Sequence, residues 1–427
     1  MDARRVAVVG AGLAGLRATD RLADAHEVTV FEAESTVGGR VRTRREGPYR
    51  FDRGFQVLFT SYPELRDAVP LEQLDLRAFP PGAVVCRPNH RATVADPLRD
   101  PANAVETAFS RDLTIGDKLR VLGLARDLRG TSPEAIRHHD DRTIEAYLSE
   151  RGFSRRFVEH FAAPFFGGIT LDRSLQTSSR VFEFVFSMLA TGRAAVPADG
   201  MGALPALLVG QAREKGARIQ TETPVESVRA TDGGAELVTA ERTHTVDAVV
   251  VAADPPTSAR LTGVGAIPTT GRACVTQYLR LPASSPLADQ AHIHLNAGGK
   301  IPNQIAVLSA VAPEYAPDDE ALLAATTLGD REESDDELFE TAQGVLRQWY
   351  PEASFEALDL LHTERCPFAQ FDQPPGVADR LPDVRAPDGA VYLAGDYTRG
   401  SSINGALESG RLAAEAVLDD LTRERPR

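Results

Sequence analysis

Three glycines near the start of the sequence have a spacing that brings backbone amides close to phosphate. Gly10, Gly12 and Gly15 follow the apolar run Val6–Val9 in GAGLAG, which matches G-x-G-x-x-G. In this pattern the first glycine allows a tight strand-to-helix turn, the second leaves room for a pyrophosphate, and the third lets the helix pack closely on the strand. The free N–H groups at the start of the next helix then face the phosphates.

An acidic residue stands where such a unit binds ribose. The second predicted strand, Val28–Phe31, ends at Glu32, 17 residues after Gly15. A carboxylate at this place can accept hydrogen bonds from a ribose 2′-hydroxyl. The strand before the glycines, the helix after them and the acid after the next strand together predict dinucleotide binding.

A second glycine pair follows the acid and indicates which kind of dinucleotide is bound. The chain continues FEAESTVGGRVRT, with Gly38, Gly39 and Arg40 soon after Glu32. Two glycines permit another close approach of the backbone, and the arginine can lie against phosphate. A unit that binds only NAD has no use for this extension.

Three stretches carry a family resemblance: GAGLAG, EAESTVGGRVRT and, near the end, AGDYTRGSSINGALESG. Together they resemble the flavin-containing amine oxidase superfamily, and most of all its phytoene/carotenoid desaturase and protoporphyrinogen oxidase branch. The resemblance implies non-covalent FAD. It also implies an α/β fold with a Rossmann-like FAD-binding domain, whose parallel sheet is discontinuous in sequence, and an α+β substrate domain.

The resemblance also implies domain boundaries and cofactor contacts. The FAD-binding domain is expected to comprise residues 1–75, 195–256 and 375–427, and the substrate domain residues 76–194 and 257–374. The segment FDRGFQVL is expected beside the isoalloxazine, Val225 at the adenine, and Asp396 at the ribityl chain or phosphates. The expected cofactor-binding residues are Gly10, Gly12, Leu13, Ala14, Gly15, Glu32, Ala33, Gly38, Gly39, Arg40, Gly54, Phe55, Gln56, Val225, Gly395, Asp396, Ser402, Ile403 and Ala406.

Further elements of the FAD domain can be placed by pattern. A helix is predicted at 203–215, strands at 218–221 and from Val225, and a last parallel strand at 391–394. The apolar run VDAVVVAADPP, 246–256, predicts a buried strand that ends at its two prolines.

The first insertion is predicted to be helical and the second to contain a sheet. Thr114 and Ser154 are expected N-caps of helices. Pro164 is expected to break the second of these helices, and Gly167 and Gly168 to form a turn. Strands are predicted at 273–281 and 304–309, in a sheet below the substrate.

Phenylalanine is concentrated in the first insertion. Eight of the chain's 18 phenylalanines fall within 34 residues, and three of them recur every four positions, as on one helix face. Core packing explains such a cluster; an apolar wall of a substrate cavity also does. The eight are Phe153, Phe157, Phe161, Phe165, Phe166, Phe182, Phe184 and Phe186.

Two departures from the amine oxidase pattern bear on the substrate. Amine oxidases carry an aromatic residue just before the final helix, and here that position is Ser402. They also carry a lysine on a substrate-domain strand, whereas the matching stretch CVTQYLRL contains Gln277 and Tyr278 and no lysine. Lys300 lies nearby in a GGK stretch that indicates solvent, and the spacing from Cys366 to Pro-Pro-Gly differs from that of flavin-linking cysteines.

Bulk composition excludes several other classes. A net charge of −14 argues against binding nucleic acid, because phosphates would be repelled. Cys86, Cys274 and Cys366 form no CxxC pair and predict buried free thiols, and no histidine pattern predicts a metal site. MDARR leads directly into the first strand, which leaves no room for a signal peptide, and no apolar run approaches the roughly 20 residues of a membrane span. We expect a cytoplasmic protein, with peripheral membrane contact as an alternative.

The leading hypothesis is an FAD-dependent desaturase or oxidase that takes hydride from a lipophilic substrate, isoprenoid-like or tetrapyrrole-like. No side chain is assigned as catalytic, because a hydrocarbon substrate needs no acid or base. A single dinucleotide fingerprint predicts oxygen or a quinone as the electron acceptor. The alternatives are a flavin amine oxidase, a redox-neutral flavin isomerase and a non-catalytic flavin-binding assembly factor. Oligomeric state stays undetermined.

Overall fold

The computed structural model describes residues 3–94 and 113–423. In chain order the strands of this part of the chain are β1 Arg5–Val9, β2 Glu27–Phe31, β3 Thr43–Glu46, β4 Tyr49–Asp52, β5 Leu58–Phe59, β6 Leu76–Ala78, β7 Ala83–Arg87, β8 His90–Val94, β9 Ala194–Pro197, β10 Arg218–Gln220, β11 Val225–Thr231, β12 Gly234–Thr239, β13 Thr243–Val246, β14 Ala248–Val251, β15 Gly271–Pro282, β16 Ile293–Asn296, β17 Gln304–Val307, β18 Glu320–Leu328, β19 Asp359–Phe371 and β20 Val391–Leu393.

The helices surround and connect these strands. Within the same described ranges they are α1 Leu13–Leu22, α2 Pro63–Ala68, α3 Ile115–Leu128, α4 Pro133–Arg137, α5 Ile144–Glu150, α6 Arg155–Phe157, α7 Ala163–Thr170, α8 Ser179–Thr191, α9 Ala203–Glu214, α10 Pro255–Thr262, α11 Leu308–Val311, α12 Asp335–Trp349 and α13 Ile403–Arg423. A π-helical turn, Val158–Ala162, joins α6 to α7. None of the described helices is both long and apolar enough to cross a membrane.

A five-stranded parallel sheet forms the centre of one half of the molecule. Its strand order is β10-β2-β1-β14-β20, and every neighbouring pair is parallel. The middle strands consist almost entirely of buried valine and alanine, as expected of strands covered on both faces. The predicted α/β class with a parallel sheet discontinuous in sequence is therefore confirmed.

The predicted elements around this sheet lie within a few residues of their expected bounds, with one correction. The run 246–256 is not one strand: β14 ends at Val251, and the two prolines begin α10. The side chain of Asp254 accepts a hydrogen bond from the Thr257 N–H and caps this helix. Proline is suited to the first helical turn because its missing N–H has no partner there.

The last helix, α13, packs its backbone directly against the backbone of α1 and of the loop that precedes α13. A Cβ built on Gly410 would lie 2.2 Å from the carbonyl oxygen of Ala14 in α1, and one on Gly405 would lie 2.2 Å from the oxygen of Gly400. A hydrogen bond from the Gly395 N–H to Ser409 Oγ, 2.8 Å long, ties the end of β20 to the same helix. The first and last segments of the chain are thereby held together.

The second half of the molecule is built on a seven-stranded sheet of order β19-β15-β18-β17-β16-β7-β8. The second insertion supplies β15 to β19, as its strand patterns predict, although 308–309 begin α11 rather than extend β17. The first insertion is mainly helical and also contributes β7 and β8. The domain boundaries given above stay a prediction.

The helix caps of the first insertion are confirmed, and the expected break at Pro164 is wrong. Thr114 and Ser154 each accept a hydrogen bond from a backbone N–H of the helix that follows. Pro164 lies in the first turn of α7, where a proline is tolerated, and the helix continues to Thr170. Gly167 is helical; a Cβ on it would lie 2.8 Å from the Cα of Arg173, so it serves close packing rather than a turn.

The phenylalanines form a continuous ladder. Ring centroids of Phe153, Phe157, Phe161 and Phe165 follow one another at 4.5, 5.6 and 5.2 Å. An α-helix turns slightly more than one full turn in four residues, and the wider π-helical turn keeps the four rings on one face. Four of the eight phenylalanines are buried in the core, and the other four are partly buried against it. Two of these four, Phe165 and Phe184, line a cavity.

A buried carboxylate joins the two halves of the molecule. Asp52, at the end of β4, accepts hydrogen bonds from the Met201 N–H at 2.9 Å and the Tyr315 hydroxyl at 2.8 Å. The Tyr278 hydroxyl donates to the carbonyl oxygen of Asp52 at 2.7 Å. Burial raises the pKa of the Asp52 carboxyl to about 6, against the opposing effect of its hydrogen bonds.

We predict that Gly410→Ala destabilises the protein by about 1–3 kcal/mol, the usual cost of forcing extra atoms into a packed contact. The matched control is Gly210→Ala on α9, where a Cβ meets nothing within 4 Å. That exchange should stabilise the helix by about 0.5–1 kcal/mol. Thermal unfolding measures both; midpoints that move in the same direction would contradict the packing role of Gly410.

We predict that Asp52→Asn changes the pH dependence of stability. Because the folded-state pKa is raised, protonated Asp52 favours the folded state below the unfolded pKa, and this stability is lost as pH rises through about 6. Between about pH 4 and about pH 7 the free energy of unfolding of the wild type should fall by roughly 3 kcal/mol relative to that of the variant, at ~1.4 kcal/mol per pKa unit. Urea unfolding of both proteins measures this, and parallel profiles would refute it.

Candidate functional site

A cavity of about 800 Å³ opens at the carboxyl ends of the parallel strands. This is the edge where open α/β sheets bind ligands. It is lined by residues from the first, middle and last parts of the chain. All the cofactor-binding residues expected from the sequence line it except Gly15, which lies beneath the turn.

The glycine turn has the shape that a phosphate needs. Gly10 has a φ of +104°, and a Cβ there would lie 2.6 Å from the carbonyl oxygen of Ala252. A Cβ on Gly15 would lie 2.0 Å from the Gly10 oxygen. Gly12 differs, because a Cβ there would meet nothing within 4 Å and would extend into open space. Protein packing thus requires glycine at 10 and 15, while only a ligand explains it at 12.

Glu32 is positioned by backbone amides, and its carboxylate can still accept hydrogen bonds from a ligand. The side chain is 8% exposed. Its Oε2 accepts the Ala11 N–H at 2.7 Å and its Oε1 the Glu34 N–H at 2.9 Å. An ionised carboxylate has about four lone-pair sites, so each oxygen can accept one further hydrogen bond, as from a ribose hydroxyl.

An ion pair connects the two ends of the chain across the cavity. Arg40 Nη2 donates to Asp396 Oδ1 at 2.7 Å, and Ser401 Oγ donates to Asp396 Oδ2 at 2.9 Å. Asp396 is 3% exposed, whereas the Arg40 side chain is about one third exposed. The sequence predicted both residues at the cofactor but gave no sign that they pair.

The segment Gly54–Gln56 is held from both halves of the molecule. The Gln56 side-chain amide donates to the carbonyl oxygens of Arg40 and Arg53, at 2.7 and 2.9 Å. The Phe55 N–H donates to Thr276 Oγ1 on β15 at 3.3 Å. A flat ring system beside this segment would therefore face a wall that is already fixed.

Helix α13 presents its N-terminus to the same cavity. Ser402 caps it: Ser402 Oγ accepts the Gly405 N–H at 2.9 Å, and the Ser402 carbonyl oxygen accepts the Ala406 N–H, also at 2.9 Å. Ser402 and Ile403 both line the cavity. The positive end of the helix dipole thus favours negative charge at this point.

The cavity lining contains an apolar group of side chains and a charged cluster. The apolar wall is formed by Phe165, Ile169, Phe184, Leu189, Ile293 and Leu295. In the charged cluster, Arg137 Nη2 donates to Glu408 Oε2 at 2.7 Å, and Arg399 Nε lies 3.7 Å from Glu408 Oε1. Burial raises the pKa of Glu408, and both arginines oppose that effect. This cluster was not predicted from the sequence, because no local motif marks it.

Two sulfurs in the cavity wall were also missed as site residues. Cys274 on β15 and Cys366 on β19 are cross-strand neighbours, and both line the cavity. All three cysteines are buried thiols outside disulfides, as predicted. Gln277, on the same strand, donates instead to the carbonyl oxygen of Asp335.

The features expected of an amine site are missing from the described residues that line the cavity. Among these no lysine occurs, and Lys300 is exposed as predicted. Tyr397, near the final helix, is fully buried and donates toward the Ser258 hydroxyl at 3.0 Å rather than facing the cavity. The described residues contain no cluster of three or more His, Cys, Asp or Glu side chains placed to hold a metal.

The donor set and the shape fit a flavin dinucleotide. The open space at Gly12 and the spare acceptors of Glu32 suit a phosphate and a ribose. The wall Gly54–Gln56 and the start of α13 suit a ring system that carries developing negative charge.

This chain is similar to known proteins along most of its length. The family described as flavin containing amine oxidoreductase matches residues 13–418. Carotenoid phi-ring synthase of Streptomyces griseus is 29% identical over an alignment of 475 positions, which covers 98% of this chain and 88% of that relative.

Two further similarities are limited in different ways, one in the length that it covers and the other in sequence identity. Protoporphyrinogen oxidase 2, chloroplastic/mitochondrial, of Arabidopsis thaliana is 30% identical over 172 residues, which cover 39% of this chain and 33% of the plant protein. This match therefore spans about a third of that relative's length. The crystal structure of an oxidoreductase from Methanosarcina mazei superposes with a TM-score of 0.74 at 19% identity, covering 97% of this chain and 100% of that one, which shows a shared fold.

We predict that Gly12→Ala weakens dinucleotide binding by roughly tenfold or more, since crowding a packed contact costs about 1–3 kcal/mol. The added methyl group enters open space in the free protein, so its melting temperature without ligand should not fall. Gly210→Ala, far from the cavity, is the matched control. Retained cofactor per chain and titration of the stripped protein measure the effect; unchanged affinity would show that Gly12 does not face the ligand.

Proposed function

This chain belongs to the flavin containing amine oxidoreductase family and is an FAD-dependent oxidoreductase, and from this we propose that it removes hydride from a lipophilic substrate, isoprenoid-like or tetrapyrrole-like. The observation that carries the proposal is the apolar wall of the cavity. Phe165, Phe184 and Ile169 belong to it, and the described residues that line the cavity include no lysine and have a serine at position 402.

We propose that FAD is held without a covalent bond by residues from three separated segments. Gly10 and Gly12 would receive the pyrophosphate, Glu32 a ribose, and Val225 the adenine. Gly54–Gln56 would lie beside the isoalloxazine. Cys366 has a neighbouring thiol as its partner and lies on β19, so no flavin link is assigned to it.

Bound FAD supplies the hydride acceptor. The protein positions the substrate, excludes water from the cavity and stabilises the developing negative charge. The apolar wall excludes water and orders a hydrophobic chain or ring by burial, worth about 25 cal/mol per Å² of apolar surface. The N-terminus of α13, capped by Ser402, provides a fixed positive dipole where negative charge develops. Loss of hydride leaves a carbocation, which becomes an alkene when the neighbouring carbon releases a proton, and we assign no side chain as the acceptor of that proton.

The charges in the cavity leave both substrate classes open. Arg180 lies 3.2 Å from Asp379, and Arg53 lies 3.5 Å from Glu364. Arg137 and Arg399 share the single carboxylate of Glu408, and Arg399 Nε has no hydrogen-bond partner among the described residues. The apolar wall suits an isoprenoid-like chain, and Arg399 could receive a carboxylate of a tetrapyrrole.

Amine oxidation is the weaker alternative. The family name includes amine substrates, but the part of the chain that the structure describes places no lysine in the cavity wall and has serine, not an aromatic residue, at position 402. The electron acceptor is proposed to be oxygen or a quinone. A redox-neutral isomerase or a flavin-binding assembly factor without turnover would use the same FAD site.

The experiment is anaerobic reduction of the purified yellow protein. We expect a polyene of the phytoene class to bleach the flavin absorbance, a porphyrinogen to do so more weakly, and primary amines to leave it unchanged. Bleaching by an amine alone would replace the proposal with amine oxidation. If no donor bleaches the flavin, the proposal is replaced by the assembly factor. If an isomerised product forms without net oxidation, it is replaced by the isomerase.

We further predict that Phe184→Ala lowers kcat/KM for the polyene by roughly tenfold to a hundredfold, because burying a side chain of this size is worth about 1.5–3 kcal/mol. Phe186→Ala is the matched control, since Phe186 lies two residues along α8 and does not line the cavity. The flavin spectrum should be unchanged in both variants. Equal losses in both would assign the effect to helix packing instead of the cavity.

A further inference from the structure

Cys274 and Cys366 lie side by side in the cavity wall. Cys274 pairs directly with Cys366 across the antiparallel strands β15 and β19. A Cβ built on Gly54 would lie 3.8 Å from Cys366 Sγ and 4.0 Å from Cys274 Sγ, so both sulfurs lie near this residue. Both cysteines are buried and line the cavity, and Gly54 places no side chain against them.

The spacing of the two strands suits a disulfide. Directly opposed residues of an antiparallel pair have Cα atoms about 4.5–5.5 Å apart, within the roughly 4.4–6.8 Å that disulfides span. The ladder shifts register between Arg272 and Cys274, so this pair lies beside a bulge, where a strand can adjust. Closing the bond needs no separate element to move.

The two thiols have different chemical environments. The neighbouring Cys274 thiol, together with the charge of Arg53, lowers the pKa of the Cys366 thiol, against the opposing effects of burial and of the Glu364 carboxylate. The Cys366 thiol, followed by burial, raises the pKa of the Cys274 thiol. Cys366 is therefore the better nucleophile, since the thiolate is the reactive form, and Cys274 is the proton donor.

We propose that Cys274 and Cys366 form a redox-active dithiol in the cavity wall, which hydrogen peroxide converts to a disulfide. The Cys366 thiolate attacks one peroxide oxygen, the O–O bond breaks, and the departing hydroxide takes a proton to become water. Cys274 then attacks the sulfenic sulfur of Cys366, the S–O bond breaks, and the hydroxyl leaves with the Cys274 proton as a second water. The thiols lose two electrons and the peroxide gains them.

This inference does not rest on the identity of the substrate. Peroxide from solution is the oxidant, and its route to the sulfurs is the cavity that both cysteines line. A disulfide here would also change the surroundings of the segment Gly54–Gln56.

The test treats the purified holoprotein with hydrogen peroxide, then counts thiols after denaturation and maps peptides by mass spectrometry. We expect two of the three thiols to disappear, a cross-linked peptide that joins Cys274 to Cys366, and full reversal by dithiothreitol. The flavin absorbance band should shift and return in step. Two thiols that stay open to alkylation, or a sulfinic acid on Cys366 without a cross-link, would overturn the proposal.

Three variants separate the steps. Cys274→Ser should stop at a sulfenic acid on Cys366, which dimedone captures, whereas Cys366→Ser should leave Cys274 unmodified. Cys86→Ser is the matched control, because Cys86 is buried on β7, four strands from β15 in the same sheet, and should cross-link as the wild type does. Dimedone capture on Cys274 instead of Cys366 would refute the assigned order.

Discussion

The cofactor site depends on the direct packing of backbone on backbone between the first and last helices of the chain. Gly410 of α13 lies against the Ala14 carbonyl of α1, and no side chain fits between them. This contact fixes the end of β20 beside the glycine turn and allows Arg40 to pair with Asp396, 356 residues away. The phosphate turn, the ion pair and the start of α13 become one surface only because these two helices touch.

The residues that could be predicted from the sequence are those whose role is set locally. A tight turn, a close phosphate and a strand-end acid each demand one residue type at a fixed spacing, so spacing alone was enough to assign Gly10, Gly12 and Glu32 to the cofactor. Asp396 and Ser402 were expected at the cofactor because the stretch AGDYTRGSSINGALESG resembles the closing segment of the flavin-containing amine oxidase superfamily. All five residues line the cavity.

The parts that could not be predicted depend on contacts between distant segments. The pairing of Cys274 with Cys366 follows from the register of β15 on β19, which a bulge shifts. Arg137 meets Glu408 because α4 and α13 approach each other, although 271 residues separate them. Pro164 and Gly167 are helix breakers by propensity, and here tertiary packing outweighs propensity.

The order of strands in the parallel sheet sets a demand on folding during synthesis. β1 is the first of these strands to be made, and it lies in the middle of the sheet. Its partner β14 is made much later, since Val6 of β1 pairs with Ala248 of β14. Until β14 emerges from the ribosome, the growing chain carries a valine-rich strand with one open edge, which is a template for aggregation. Pairing between such distant segments is also slow to form. The interval of synthesis between β1 and β14 is therefore the period in which this strand edge most needs protection.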